Sequence, residues 1–242
     1  MGSISKSAKS ILGNSLDWLF PPRCAGCGRL GEFWCQSCRS HIKVIREPYC
    51  ELCGSPKPRT TPCVNCTTWD YNFDAARAWG QYLDVLRKAI LSLKSRHNVQ
   101  LGFALAECMG TVLAAQPWKI DFLVPVPLAP QRFAQRGYNQ ADLLARPLAA
   151  ASGLRHADNI LSRSHETVKQ FELHASQRWE NLLGAFQAQG IELQSANILL
   201  VDDIMTTGAT LNAAALALKK SGAKRVYALT LAKTLLEENE PW

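Results

Sequence analysis

The sequence predicts an α/β domain, with a mainly parallel sheet and helices on both faces, preceded by a small cysteine-rich module that needs metal to fold. Three observations carry this. Eight of the nine cysteines fall into four C-x-x-C pairs, all before residue 67, a spacing that zinc sites use and disulfide frameworks rarely do. From about residue 71 onward, strand-like runs alternate with segments of helical periodicity, the pattern of a parallel sheet with crossover helices. Finally, Ile198-Leu199-Leu200-Val201 is apolar at every position, as a central parallel strand buried on both faces must be.

Taken in order, residues 1–22 read as an amphipathic helix that stops at Pro21-Pro22. Residues 23–69 hold the paired cysteines and few large apolar side chains, too few for a core without metal. The α/β domain occupies 70–236. It opens with a strand at 75–82 and helices at 83–93 and 99–115. A strand at 121–126 closes on Pro125-Val126-Pro127, and a helix at 139–151 is stopped by Gly153. A strand at 154–161 and a polar, mobile stretch from 162 to about 181 follow. The buried strand 198–201, a helix at 210–220 stopped by Gly222 and a strand at 225–231 complete it. Residues 237–242 read as a disordered tail. Cys108, outside the pairs, sits on an apolar helical face and reads as core.

No run of eighteen apolar residues is free of charge, so no transmembrane helix is expected. The short apolar segment near the N-terminus contains Asp17 and lacks a small-residue cleavage pattern, unlike a signal peptide. Paired thiols of this kind point to a reducing, cytoplasmic setting. The formal net charge of +7 suggests a polyanionic partner. Eight thiolates and two Zn²⁺ ions lower it to about +3, so affinity for nucleic acid does not follow from composition alone.

The buried strand runs into Asp202-Asp203-Ile204-Met205-Thr206-Thr207-Gly208-Ala209-Thr210. Two carboxylates at the C-terminal end of a parallel strand sit where α/β sheets bind ligands, and they accept hydrogen bonds from vicinal hydroxyls. Thr206, Thr207, Gly208, Ala209 and Thr210 are small or hydroxylated and lead into a helix. Their N–H groups and the helix dipole make an anion pocket. Diol acceptors followed by a phosphate nest describe a reader of ribose 5-phosphate. A Walker B strand is the first rival, but the chain has no G-x-x-x-x-G-K-[ST]. A response-regulator pocket gives the Thr-Thr-Gly-Ala-Thr continuation no role. A plain helix cap leaves two adjacent aspartates unexplained.

The segment Val201 to Thr210 resembles the PRPP signature of type I phosphoribosyltransferases. Val124-Pro125-Val126-Pro127-Leu128, Arg136-Gly137-Tyr138-Asn139-Gln140, then Thr167, Gln170, Arg178 and Asn181, together with the four C-x-x-C pairs, resemble the ComF/GntX competence-associated branch. The likeness spans about residues 24–233. It implies a type I phosphoribosyltransferase-like fold and displacement at ribose C1, with pyrophosphate leaving and Mg²⁺ assisting. It assigns pyrophosphate to the loop of Val126, Pro127, Leu128 and Arg132, and it puts Arg136 in the active site beside Asp202 and Asp203. A flexible loop carrying Arg163, Lys169, Gln170 and Arg178 would close over PRPP and neutralise the leaving group. Lys94 has a weaker claim of the same kind. The resemblance alone brings in single-stranded DNA and DNA-processing proteins as partners in natural transformation. The acceptor is not written in the sequence. Beside this enzyme stands a second reading, a non-catalytic sensor of PRPP or a nucleotide that recruits DNA-processing partners through its zinc module.

In that module each C-x-x-C can form a knuckle, and Gly28 and Gly54 follow two of them, where a tight turn is needed. Two structural Cys₄ zinc sites are the simplest solution. Sequential sites, Cys24, Cys27, Cys35 and Cys38, then Cys50, Cys53, Cys63 and Cys66, are favoured, though spacing leaves a crossed pairing open. Redox chemistry at the pairs is the rival. Basic residues such as Arg23, Arg29, Lys43 and Arg46 accompany Phe33, Trp34, Tyr49 and Trp69. That mixture suits single-stranded nucleic acid, or else the aromatic rings pack on the other domain.

Overall fold

The computed structural model describes residues 21–57, 62–95, 97–163, 184–190 and 193–235 of the chain. The leading helix, the tail and Lys169, Gln170 and Arg178 of the expected flexible loop lie outside the described residues. Strands β1 (Ala75–Gln81), β2 (Phe122–Pro125), β3 (Arg155–His156), β6 (Asn197–Met205) and β7 (Arg225–Lys233) form one sheet in the order β1-β7-β6-β2-β3. Every neighbouring pair in it is parallel. Strands β4 (Leu161–Arg163) and β5 (Phe186–Ala188) form a separate antiparallel pair.

The apolar run at 198–201 does what its composition requires. All four side chains are fully buried, alternating between two cores. Ile198 and Leu200 pack with Leu211, Ala214 and Leu218 of helix α7 (Ala209–Lys220). Leu199 and Val201 pack on the opposite face, with α3 (Asp84–Ser95), α4 (Val99–Ala114) and α6 (Gln140–Ser152). Each such side chain is worth about 1.5–3 kcal/mol of burial, so the strand anchors both layers at once. Cys108 is buried in the second core, as expected.

Three expectations need correction. The central strand extends to Met205, because β7 continues beside it with Met205 opposite Lys233; the two aspartates therefore lie within the strand. The strand expected at 154–161 is split. Only Arg155 and His156 pair with the short β2, after which Ala157 N donates to the Leu123 carbonyl and the chain leaves the sheet to form β4. The seven-residue helix α5 (Pro130–Arg136) was not expected; two turns are too short to show a period. Two helices of five residues, α1 (Gln36–Ser40) and α2 (Val64–Thr68), start inside the cysteine module.

The cysteine module shares the domain's cores. Its backbone docks on the edge strand β1, with Ile45 N donating to Trp79 O at 2.9 Å and Gln81 N to Lys43 O at 2.9 Å. Ala76 N donates to Leu52 O at 2.6 Å. Gly54, at φ +69°, lies so close to Ala76 that a Cβ there would strike the Ala76 carbonyl. Arg77, 6% exposed, donates to the Glu51 carbonyl (2.8 Å) and carboxylate (3.0 Å) while lying 4.4 Å over the Tyr49 ring. Trp34 is buried with Trp79. The module's aromatic rings Phe33, Trp34 and Tyr49 thus pack against the α/β domain, whereas Arg23, Arg29, Lys43 and Arg46 stay exposed.

Candidate functional site

The chain turns in opposite directions from two adjacent strands. β2 leads through α5 and α6 to β3 on one side, and β6 leads through α7 to β7 on the other. The crevice at the C-terminal ends of such strands is where open α/β sheets take ligands. β2 ends at Pro125, opposite Val201, while β6 runs on along β7. Asp202 and Asp203 therefore emerge where one neighbour has ended. A cleft of about 680 Å³ opens there. Residues 202–210 line it together with Val126, Pro127, Leu128, Arg132, Arg136 and Arg163. So every described residue to which the sequence assigned a phosphoribosyl role reaches one cavity. Tyr82, Arg87, Leu91 and Lys94 form a further wall that the sequence did not single out as such, though Lys94 had been noted.

The acidic pair is not an ordinary surface pair. Asp203 is 4% exposed, and its Oδ2 lies 3.0 Å from Lys94 Nζ. The Asp202 Oδ1 accepts from Asp203 N at 2.8 Å. Burial first, then the Asp203 charge, push the Asp202 carboxyl up to about 7, against the pull of that hydrogen bond and of Lys94 and Arg163. Beyond them Gly208 stands at φ +86° as N-cap of α7. A Cβ there would meet Met205 Cε at 2.7 Å and Tyr71 Cε1 at 2.9 Å, so a larger residue is strained in backbone and must displace its neighbours. Thr207 Oγ1 accepts from Ala209 N at 3.3 Å, and Ala209, Thr210 and Leu211 at the start of α7 line the cleft, where a helix N-terminus favours an anion.

The segment 136–140 divides its work. Arg136 lines the cleft, and its Nη1 donates to Gln140 Oε1 at 2.7 Å, with Gln140 itself buried. Tyr138 OH donates to the Leu93 carbonyl at 2.8 Å, next to Lys94. Asn139 Nδ2 donates to the Val126 carbonyl at 3.0 Å while its Oδ1 caps α6 through Ala141 N. Two residues face the cavity; two fasten the walls around it.

The eight cysteines form two tetrads of consecutive pairs. Sulfur atoms lie within 4.8 Å of one another inside each, which decides the pairing in favour of sequential sites. In the first, Cys24–Cys38 and Cys27–Cys35 are 3.5 and 3.8 Å apart; in the second, Cys50–Cys66 and Cys53–Cys63 are 3.6 and 3.5 Å apart. A zinc ion with four bonds of about 2.3 Å sets sulfurs about 3.8 Å apart, so both tetrads fit Zn²⁺ and leave no open position for catalysis. Two neighbours of the second site carry no motif and escaped sequence reasoning. Lys233, 1% exposed, is pulled down by burial and pushed up by the charge of those four thiolates. Tyr71, whose hydroxyl is pushed above its usual range by burial and then by the same thiolates, donates to the Thr207 carbonyl at 2.9 Å.

Comparison with known proteins agrees with these parts. The double zinc ribbon domain matches residues 15–67 and the phosphoribosyl transferase domain matches residues 102–241. The chain is 32% identical over 209 residues to "Competence protein F" of Haemophilus influenzae, covering 82% of this chain and 90% of that protein. It is 31% identical to "Competence protein ComFC" of Bacillus subtilis (83% and 84% covered) and 30% identical to "DNA utilization protein YhgH" of Salmonella typhimurium (83% and 90%). Among solved structures, a B. subtilis glutamine PRPP amidotransferase aligns at TM-score 0.40 and 14% identity, over 57% of this chain and 30% of its own, too loosely to argue from. No helix among the described residues is long and apolar enough to cross a membrane. With a parallel sheet whose switch-point cleft carries the acidic pair and its small-residue loop, and with two Cys₄ sites ahead of it, the chain belongs to the phosphoribosyltransferase-domain family headed by a double zinc ribbon, together with competence protein F, ComFC and YhgH.

Proposed function

We propose that the cleft binds PRPP with Mg²⁺, and that the protein acts in the cytoplasm on DNA taken up as single strands. One observation carries the ligand assignment: the acidic pair, the loop 206–210 and the arginines 132 and 136 share a single cleft. In this reading the 5-phosphate takes the N–H groups at the start of α7, and Asp202 and Asp203 accept from the ribose hydroxyls, directly or through Mg²⁺. Arg132 and Arg136, with the loop 126–128, face the pyrophosphate. The acceptor forms the new bond to C1 while the C1–O bond to pyrophosphate breaks and its electron pair leaves with that group, its charge met by the arginines. The DNA role rests on relatives named for competence and DNA utilisation. Arg23, Arg29, Lys43 and Arg46 are exposed and support that role, since cations of this kind are what DNA phosphates recruit.

Isothermal titration with PRPP and Mg²⁺ tests the site. Each aspartate supplies charge-assisted hydrogen bonds of about 1.5–3 kcal/mol, so the Asp202→Ala/Asp203→Ala protein is expected to bind at least about a hundredfold more weakly, with both zinc sites intact. Equal affinity in the two proteins overturns the assignment. Mass spectrometry of products from PRPP, Mg²⁺ and a panel of acceptors that includes DNA ends then separates turnover from binding alone.

A further inference from the structure

The loop 206–210 must hold its peptide N–H groups toward the cleft before any phosphate arrives, because donors that need turning lose affinity to the cost of ordering them. A loop of three threonines, a glycine and an alanine has no bulk of its own to do this. Tyr71 supplies it. Its hydroxyl donates to the Thr207 carbonyl at 2.9 Å. In a trans peptide the C=O and the following N–H point in opposite directions, so this bond turns the Gly208 N–H away from Tyr71, on a stretch where Thr206, Thr207, Gly208 and Ala209 all line the cleft. The ring also fills the space beside Gly208 that a side chain would otherwise take, its Cε1 being 2.9 Å from where a Cβ would stand. Next along the chain, Asn72 grips the same helix: Asn212 Oδ1 accepts from its Nδ2 at 2.9 Å, and Asn212 N donates to the Gly208 carbonyl at 2.8 Å.

Tyr71 shares its core with the second cysteine tetrad. Tyr71 stacks on the buried Phe73, with ring centroids 4.6 Å apart. Both rings pack in the core that contains Cys50, Cys53, Met205 and Ala209, with Cys63 and Cys66 against it. The first tetrad belongs to the other core, on the far face of the sheet. Only four residues separate Cys66 from Tyr71, so the chain that leaves the second tetrad soon meets the loop.

We propose that Tyr71 is a positioning residue for the proposed ribose-phosphate site, and that the second zinc site is the buttress that sets it, so that zinc at Cys50, Cys53, Cys63 and Cys66 is linked to phosphate-loop order while zinc at the first site is not. This rests on the PRPP reading for the ligand but not for the loop. The linkage is reciprocal: whatever tightens the loop also retains the second zinc.

The experiment uses the full zinc-loaded chain with Tyr71→Phe, which keeps the ring and removes only the hydroxyl, beside Tyr71→Leu and the wild type. Amide hydrogen exchange of residues 204–212 is measured without ligand, and PRPP·Mg²⁺ affinity by titration. Tyr71→Phe is expected to exchange several-fold faster across 206–210, to keep two zinc ions and to bind PRPP about five- to tenfold more weakly. Tyr71→Leu is expected to do more of each and, in addition, to release one zinc faster to a colorimetric chelator. Unchanged exchange across 206–210 in Tyr71→Phe overturns the inference. Faster exchange with no PRPP binding by the wild type leaves the positioning role standing and removes PRPP as the ligand.

Discussion

The two Cys₄ sites have the same ligands and nearly the same sulfur spacings, yet they sit in different surroundings. The first lies against Trp34, Trp79, Leu86 and the helices α3 and α4, with Arg39 reaching Glu107 at 3.6 Å across an exposed surface. The second lies against Phe73, Met205 and the start of α7, and has beside it a lysine that is almost wholly buried. A zinc tetrathiolate carries a net charge of −2. At the first site water is near enough to screen part of that, since Cys27 is exposed. At the second the buried Lys233 stands beside the thiolates, its ammonium favoured by their charge but disfavoured on balance by burial. Identical coordination chemistry therefore sits in two different cores, the second of them shared with the start of α7.

Loss of each metal in turn should affect the molecule most. Cys24→Ser and Cys53→Ser should each lower zinc from about two to about one per chain by elemental analysis. Cys24→Ser should loosen the docking of the ribbon's first half and leave exchange across 206–210 as in the wild type. Cys53→Ser should speed that exchange and lower the melting temperature more, since Cys53 lies at 1% exposure inside the core. Equal effects of the two on the loop would show that the two sites are equivalent. Next in size, Lys233→Met keeps the volume but removes the buried amine that stands beside the thiolates. Loss of such an outer partner costs about 10–100-fold in metal affinity, and chelator competition should find that loss at one site only.

Acidity sharpens the contrast at the loop itself. With the Asp202 carboxyl raised to about 7 by burial and by Asp203, PRPP·Mg²⁺ affinity should fall by up to about tenfold per pH unit below that point and level off above it, because hydroxyl donors and Mg²⁺ select the carboxylate. The stability of the ligand-free protein should move the other way. A carboxyl whose folded value lies above its ordinary 3.8 stabilises the fold fully below about pH 4, and that contribution is lost as pH rises through about 7. Asp202→Asn should flatten both profiles, read by titration and by thermal melts across that window. The smallest effect belongs to the exposed pair of Arg39 and Glu107: Arg39→Ala should change stability by no more than about 1 kcal/mol and leave both zinc sites filled.

Much of this molecule could be read before any coordinates, for definable reasons. The tetrads announce themselves because zinc demands two ligands per turn of chain, and the run 198–210 because a doubly buried strand and a phosphate nest each restrict residue type at every position. Tyr71 and Lys233 obey no such local rule. Tyr71 falls between the last cysteine and the first strand, where a boundary was expected, and its partner Thr207 is 136 residues away. Lys233 resembles any cation at the end of a strand; only the extension of β6 to Met205 draws it inside. The strand expected at 154–161 failed for a related reason, since its length is limited by β2, a partner the local sequence does not reveal.

In a zinc-poor cell the edge strand β1 is at risk. Three backbone hydrogen bonds from the ribbon cover the outer edge of β1, a seven-residue strand with the sequence Ala-Ala-Arg-Ala-Trp-Gly-Gln. The opposite edge of the sheet is a strand of two residues, too short to recruit another chain. Without its metals the ribbon has little to keep it folded, and its departure leaves β1 as a long, largely apolar edge open to pairing with a second copy. Metal starvation should thus produce sedimenting aggregates rather than a free α/β domain, and the cysteines act as a guard on the sheet's one vulnerable margin.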